Sequence, residues 1–364
     1  MKTVLKLCFL IHLAVTPARL PAQKVPPRPL YTVDLSKLVS QELDIHPAGT
    51  VTFLTEHTLA VSICRNEQCY LETLDLAADT PRVISRIKPP AFQVIGTLFR
   101  APGGGVIQGS RVLDPNLREV SQIPKGAGIR PSHISTTGET FIKQDGNNWA
   151  AYKIEQPRRR ILAGTGTILS VSDDAVAYFD DNTVHIQGIY GAPLGSFAAP
   201  PHVLPPLVAG PFGVTAKVIP MLRFLGRDRL WRENLSQVEI LDFNGKLIQT
   251  LERPEGWGTR IGQSSDGSRI LYDRYTRHIP LAQKAEEEAI GKATGVWADE
   301  EPNGEMVLVI DTRSGSHCFE WSSQTNLLAA GQFHADIDPS GRLVAIVTPT
   351  TLNIYRLPES CIAK

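Results

Sequence analysis

The sequence predicts an all-β fold, a β-propeller of seven four-stranded blades closed by its own N-terminal strand. Three observations lead there. Strand-like apolar runs bounded by Gly, Pro, Asn or Asp recur along the chain. They group into units with a period of about 40 to 50 residues. The last unit is one strand short, and a spare strand precedes the first.

The first unit covers 44–87, with strands near 51–54, 59–64, 69–76 and 82–86. The second holds T-L-F-R, G-V-I-Q and R-E-V-S-Q-I, ending near Ile123. The third carries H-I-S-T-T-G-E-T-F-I-K-Q, N-W-A-A-Y-K-I-E and R-R-R-I-L-A, and the fourth spans I-L-S-V-S-D-D-A-V-A-Y-F-D-D-N-T-V-H-I-Q-G-I. M-L-R-F-L-G-R-D-R-L-W and V-E-I-L-D-F-N-G-K-L-I-Q-T-L centre the fifth. The sixth opens on G-Q-S-S-D-G-S-R-I-L-Y-D and resumes at M-V-L-V-I-D-T-R-S-G-S-H-C-F-E-W. The seventh has segments around 334–337, 343–347 and 352–357, which residues 30–35 complete, leaving no open edge.

Asp336, Asp338, Ser340 and Gly341 match the opening of a calcium-binding loop, but position 12, where a bidentate Glu is required, is Val347. The stretch therefore reads as a turn between strands, and D-I-H-P-A-G at 44–49 looks like its echo. Polar turns with glycine followed by an apolar strand recur at 264–272, 338–346 and 135–143. The phrases V-E-I-L-D-F-N-G-K-L and V-L-V-I-D-T-R-S-G-S share strand, Asp, turn and Gly.

These phrases resemble the degenerate WD40-like and TolB-type repeats of exported bacterial β-propellers, which carry a D-G or S-G turn and an I-D-x-x-x-G hairpin. The resemblance covers about 30–359 and implies an architecture shared by binding proteins, enzymes and scaffolds, with no particular activity.

The N-terminus reads as a secretory signal peptide over residues 1–22. Lys2 and Lys6 precede a short apolar run, 7–15, and small residues allow cleavage after Ala18 or Ala22. The run is too short to span a bilayer and no other segment reaches the required length. A secreted or periplasmic location follows, with residues 23–364 as one propeller domain. Removing 1–22 changes the balance from 37 basic and 37 acidic residues to 34 and 37, so no basic field points to nucleic acid. Four cysteines remain in an oxidising compartment. Cys64 and Cys69 flank R-N-E-Q between two strands, where a disulfide fits the hairpin; Cys318 and Cys361 then pair. A zinc site is the alternative, but C-x2-C spacing is missing.

Signatures of chemistry are sparse. No G-x-S-x-G, H-E-x-x-H, phosphate loop or dinucleotide fingerprint occurs, and no cofactor or metal is expected. His46, His133 and His334 each fall at the start of a unit and would approach the central channel if they occupy equivalent blade positions; a histidine bonding its own loop is the plainer account. Asp173-Asp174 and Asp180-Asp181 sit at hairpin turns, Arg158 to Arg160 start a strand, and Gly103 to Gly105 form a turn. The repeat breaks at about 275–305, where P-L-A-Q-K-A-E-E-E-A-I-G-K-A reads as a helix with Pro280 near its N-terminus and Trp297 follows as an anchor. A proline-rich stretch, 198–213, reads as an inter-blade connection.

The expected function is a monomeric, non-catalytic binding module that meets a protein, peptide or glycan through one face and the insertion. A hydrolase or lyase with a His/Asp site at the channel is the alternative. It requires two of the three histidines and a carboxylate within hydrogen-bond reach.

Overall fold

A computed structural model describes residues 27–36, 48–65, 68–77, 80–88, 98–124, 131–198, 202–203, 217–218, 221–233, 237–253, 257–276, 304–323 and 334–361. The signal peptide, His46, Trp297 and the helix expected inside the insertion lie outside these residues.

The chain begins with β1 (Tyr31–Asp34). Blade 1 follows as β2 (Ala48–Phe53), β3 (Thr58–Arg65), β4 (Gln68–Asp75) and β5 (Arg82–Ile87). Blade 2 is β6 (Leu98–Ala101), β7 (Gly105–Gln108), β8 (Arg111–Leu113) and β9 (Glu119–Gln122). Blade 3 is β10 (Thr140–Asp145), β11 (Asn148–Lys153) and β12 (Arg160–Thr165), with its innermost strand contracted to one bridge between Ile134 and Phe141. Blade 4 is β13 (Thr167–Val171), β14 (Ala175–Asp180), β15 (Thr183–Gly188) and β16 (Pro193–Ala198). In the proline-rich connection, β17 (His202–Val203) pairs with β18 (Lys217–Val218), which lies just beyond it, as a small ribbon.

Blade 5 is β19 (Met221–Leu225), β20 (Arg229–Glu233), β21 (Gln237–Leu241) and β22 (Leu247–Glu252). Blade 6 is β23 (Trp257–Gln263), β24 (Arg269–Thr276), β25 (Gly304–Asp311) and β26 (His317–Ser323). Blade 7 is β27 (Ala335–Ile337), β28 (Leu343–Val347) and β29 (Thr351–Arg356), and β1 adds to its outer edge with Tyr31 opposite Ile354 and Asp34 opposite Thr351. The fold is thus the seven-bladed propeller of antiparallel sheets expected, and the N-terminal strand closes the ring.

Alternation along the strands gives each blade two apolar faces, and the core lies between blades. Leu35, Val51, Phe53 and Val61 pack against Ala345, Val347, Leu352 and Ile354 of blade 7. Leu271, Val307 and Val309 of blade 6 meet Ile337, Val344 and Ile346 of blade 7.

The repeated turn phrases have one physical basis, a side-chain oxygen capping the backbone of its own turn, from an Asp at most of them and from Ser135 and Thr137 at 135–143. Asp338 Oδ1 accepts from the amides of Arg342 (2.7 Å) and Leu343 (2.6 Å), and Ser340 bonds Oδ2, so this acid is a buried turn cap between β27 and β28. Asp266 Oδ1 accepts from the Ser268 amide at 2.9 Å and Asp311 Oδ1 from the Ser314 amide at 2.8 Å. Asp181 and Asn182 both have positive φ, 44° and 60°, and form the two-residue hairpin between β14 and β15. The echo at 44–49 needs correction: Gly49 lies inside β2, whereas Gly341 lies in the turn after the first strand of its blade. The two phrases share residues and not a place in the blade.

Both cysteine pairings are disulfides. Cys64 and Cys69 are directly opposite in β3 and β4, with Cα atoms 4.1 Å apart. Cys318 on the outer strand of blade 6 joins Cys361 across 43 residues of sequence, which enclose the three chain-terminal strands of blade 7. Loop entropy scales with that separation. Replacing Cys318 and Cys361 by Ser is expected to cost about 4 kcal/mol, against about 2 kcal/mol for the Cys64 and Cys69 pair. Denaturant midpoints of the two double variants test the order, and equal losses would contradict it.

Candidate functional site

Antiparallel strands alternate their connections between two faces. One face carries the turns between first and second and between third and fourth strands. The other carries the hairpins between second and third strands and the links between blades. The link preceding His334 and the hairpin from which residues 277–303 leave, between Thr276 and Gly304, share this second face.

The innermost strands are edge strands facing the channel, and their unpaired backbone groups need partners. Side chains from neighbouring blades supply them. Arg100 of β6 reaches across blade 1, donating Nε to Phe53 O (2.6 Å) and Nη2 to Ile337 O (2.7 Å). Asp336 Oδ2 accepts from the Phe53 amide (2.8 Å) and the Thr52 hydroxyl (2.9 Å), and lies 3.7 Å from Arg100 Nη2. Farther round, Gln263 Nε2 donates to Phe224 O and the Phe224 amide donates to Ser170 Oγ. A cavity of about 60 Å³ between these strands is lined by Ser170, Arg223, Phe224 and Gln263. At roughly 10–15 Å³ of such space per water it admits a few waters and no substrate.

The most concentrated chemistry lies at the end of blade 6. Asp273 in β24 and Glu305 in β25 are diagonal neighbours on one sheet face, since Glu305 is opposite Tyr275. That face meets blade 7. Asp273 Oδ2 accepts from the backbone amides of His334 (3.0 Å) and Ala335 (3.1 Å), and His334 Nδ1 is 3.0 Å from Glu305 Oε1. All three residues are at most 1 % exposed. Burial pushes the Asp273 carboxyl well above the usual range, helped by the charge of Glu305 and opposed by His334. Burial pushes Glu305 up to about 7. One ligand atom from each residue lies within 4.8 Å of the others, so the three side chains can share protons or hold a metal ion.

The opposite face of β24 carries a second polar network. Arg274, fully buried, donates to Glu233 Oε1 at 2.5 Å, and Arg253 bonds the same oxygen. The Arg274 guanidinium lies 5.1 Å from the Tyr272 ring centre, and Tyr272 Oη accepts from Trp231 Nε1 at 3.0 Å. Blade 6 is therefore held to blade 5 and to blade 7 by buried polar groups at the level where residues 277–303 depart.

Of the histidines singled out from sequence, His133 and His334 do precede equivalent strands, but they bond different partners. His133 Nδ1 lies 2.8 Å from Ser132 Oγ and its Nε2 3.2 Å from Gln144 Oε1. His334 instead meets Asp273 and Glu305, two residues sequence reasoning missed. Their signal was present: each is a charge inside an apolar strand, in R-I-L-Y-D-R and E-M-V-L-V. The same mark identifies Arg100 in L-F-R-A and Asp336 in A-D-I. Asp173, in the turn between β13 and β14, accepts from the Thr137 hydroxyl of blade 3 (2.6 Å), while Ser172 Oγ caps the turn by accepting from the Ala175 amide.

On the first face, a groove of about 720 Å³ runs across blades 6, 7 and 1. Arg342, Arg356 and His57 line it together with Glu56, Glu359 and Tyr31. Among the described residues no helix is long and apolar enough to cross a membrane.

The sequence matches no family model and no curated protein. Solved structures resemble the fold. The C-terminal WD40 domain of Sif2 superposes with TM-score 0.50 at 10 % identity, covering 92 % of this chain and 99 % of that one. KlHsv2, with its loop 6CD replaced by a Gly-Ser linker, gives TM-score 0.50 at 12 % identity over 86 % and 99 %. A chain of the mitotic checkpoint complex gives TM-score 0.52 at 10 % identity over 99 % and 100 %. At these identities the likeness carries the architecture alone.

Proposed function

We propose that this protein is an exported, non-catalytic WD40-like propeller that binds a protein, peptide or glycan as a monomer through the face from which residues 277–303 leave. One observation carries the reading: four described polar side chains at the channel hold neighbouring blades together. Arg100, Asp336, Ser170 and Gln263 bond inner-edge backbone, and the cavity beside them is too small for a substrate. The two disulfides suit an oxidising compartment, in keeping with the leader-like N-terminus. A rigid ring with a long excursion on one face is a common way to present a binding surface.

The catalytic alternative has one observation in its favour, the meeting of His334 with two carboxylates. Those groups are sealed between blades, and His133 sits with Ser132 and Gln144 instead.

Affinity capture from the native extracytoplasmic fraction tests the reading. The baits are the mature chain, a chain with 277–303 replaced by a short Gly-Ser linker, and a groove variant carrying Arg342→Glu and Arg356→Glu. A partner kept by the mature chain and the groove variant but lost from the deletion is the expected result. Retention by the deletion and loss from the groove variant would transfer binding to the opposite face. Turnover of an ester, peptide or glycan substrate by the purified protein, abolished in His334→Gln, would restore the enzyme.

A further inference from the structure

We propose that Asp273, Glu305 and His334 form a binding site for one divalent transition-metal ion of the zinc or manganese type, which pins blade 7 to blade 6. The inference is independent of what the outer faces bind.

Distance comes first. Ligands about 2.1 Å from a tetrahedral ion stand roughly 3.4 Å from one another. His334 Nδ1 and Glu305 Oε1 are already 3.0 Å apart, and one ligand atom from each of the three residues lies within 4.8 Å of the others. A shift on the order of 1 Å completes the set.

Charge points the same way. Two carboxyl groups side by side at 1 % exposure hold negative charge poorly on their own, because removal from water penalises their charged forms, and a cation seated between them would lift that penalty. Arg274, next along β24, is turned to the other face and paired with Glu233. A dication held by all three side chains would stabilise both carboxylates at once.

Donor chemistry narrows the ion. Two carboxylate oxygens and one imidazole nitrogen suit zinc, manganese or iron, while calcium and magnesium favour shells of six or more oxygens. The site also has the support expected around a metal ligand. Asp273 Oδ2 is fixed by two backbone amides, those of His334 and Ala335, which orient the carboxylate as outer bonds do in built sites. The three ligands come from β24, β25 and the entry to β27, segments whose relative positions the blade pairing sets. A bound ion would therefore fasten the root of residues 277–303 to the neighbouring blade.

The test uses the tag-free mature protein, stripped with chelator and dialysed against micromolar Zn²⁺, Mn²⁺ or Ca²⁺. Metal content by mass spectrometry and thermal unfolding are both read. The expected result is one equivalent of Zn²⁺ or Mn²⁺, a rise of several degrees in Tm, and no such response to Ca²⁺. Glu305→Gln and His334→Gln should weaken binding by about 100-fold or more. Glu305→Gln is isosteric with the protonated acid and keeps the fold, so it decides the matter if His334→Gln misfolds. No retained ion and no shift in Tm would overturn the proposal. Equal retention by wild type and Glu305→Gln, or a preference for Ca²⁺, would overturn it as well.

Discussion

A chain lacking residues 27–36 is expected to lose cooperative unfolding and to aggregate at concentrations where the intact chain does not. β1 is the fourth strand of blade 7, and its register with β29 runs from Tyr31 and Ile354 to Asp34 and Thr351. Flanking bonds extend the pairing, from Leu30 N to Ile354 O (2.7 Å) and from Leu35 N to Thr350 O (2.8 Å). Leu35 is fully buried in the cluster that joins blades 1 and 7. Truncation therefore strips the edge of β29, creating a template for intermolecular pairing, and opens an apolar inter-blade face. Leu35→Ala gives the graded version, a loss of about 2–5 kcal/mol with the edge still covered. Size-exclusion chromatography and denaturant unfolding measure both. A monomeric truncated chain with an unchanged midpoint would show that ring closure does not depend on this strand.

The second large effect is expected at the channel. Arg100→Met keeps the apolar stem and removes the guanidinium, leaving Phe53 O and Ile337 O without their donor and Asp336 without its nearby cation. Arg100 and Asp336 side chains are only 10 % and 3 % exposed, so water replaces the lost partners poorly. Breaking such a buried arrangement from one side costs about 3–5 kcal/mol. In a protein of this size that lowers Tm by roughly 4–7 °C. Asp336→Asn should be non-additive with it, because both act on Phe53. An Arg100→Met chain within about 0.5 kcal/mol of wild type, the range of ordinary surface substitutions, would place the ring's cohesion elsewhere.

Much of the architecture was readable because the turns are local. An Asp or Ser followed by Gly caps its own backbone within a few residues, so the phrase at 338–346 and the phrase at 264–272 mark the same place in two blades. The cysteines were readable for a related reason: one pair spans a hairpin, and exclusion leaves the other. The site was not readable as a site. Asp273, Glu305 and His334 are separated by about thirty residues each, a spacing set by blade circumference and insertion length rather than by a ligand motif. Only the pairing of β24 with β25 and the entry of β27 bring them together. Their one local sign was a charge where strand alternation calls for an apolar residue. Among the three histidines, His334 meets two carboxyl groups, His133 bonds Ser132 and Gln144, and His46 lies outside the described residues.

The pairing of Tyr31 with Ile354 also fixes an order of events during synthesis. Blade 7 needs one strand that precedes blades 1 to 6 in the chain and three that follow them, so the ring stays open until β29 has emerged. Blades formed earlier must wait with one apolar face uncovered. Contacts this distant in sequence form late and slowly, since loop closure precedes any gain from pairing. Closure therefore waits on β29, and the Cys318 to Cys361 bridge can fasten it only afterwards. Oxidation at that pair would report completion of the ring, whereas the hairpin pair Cys64 and Cys69 can oxidise while the chain is still growing.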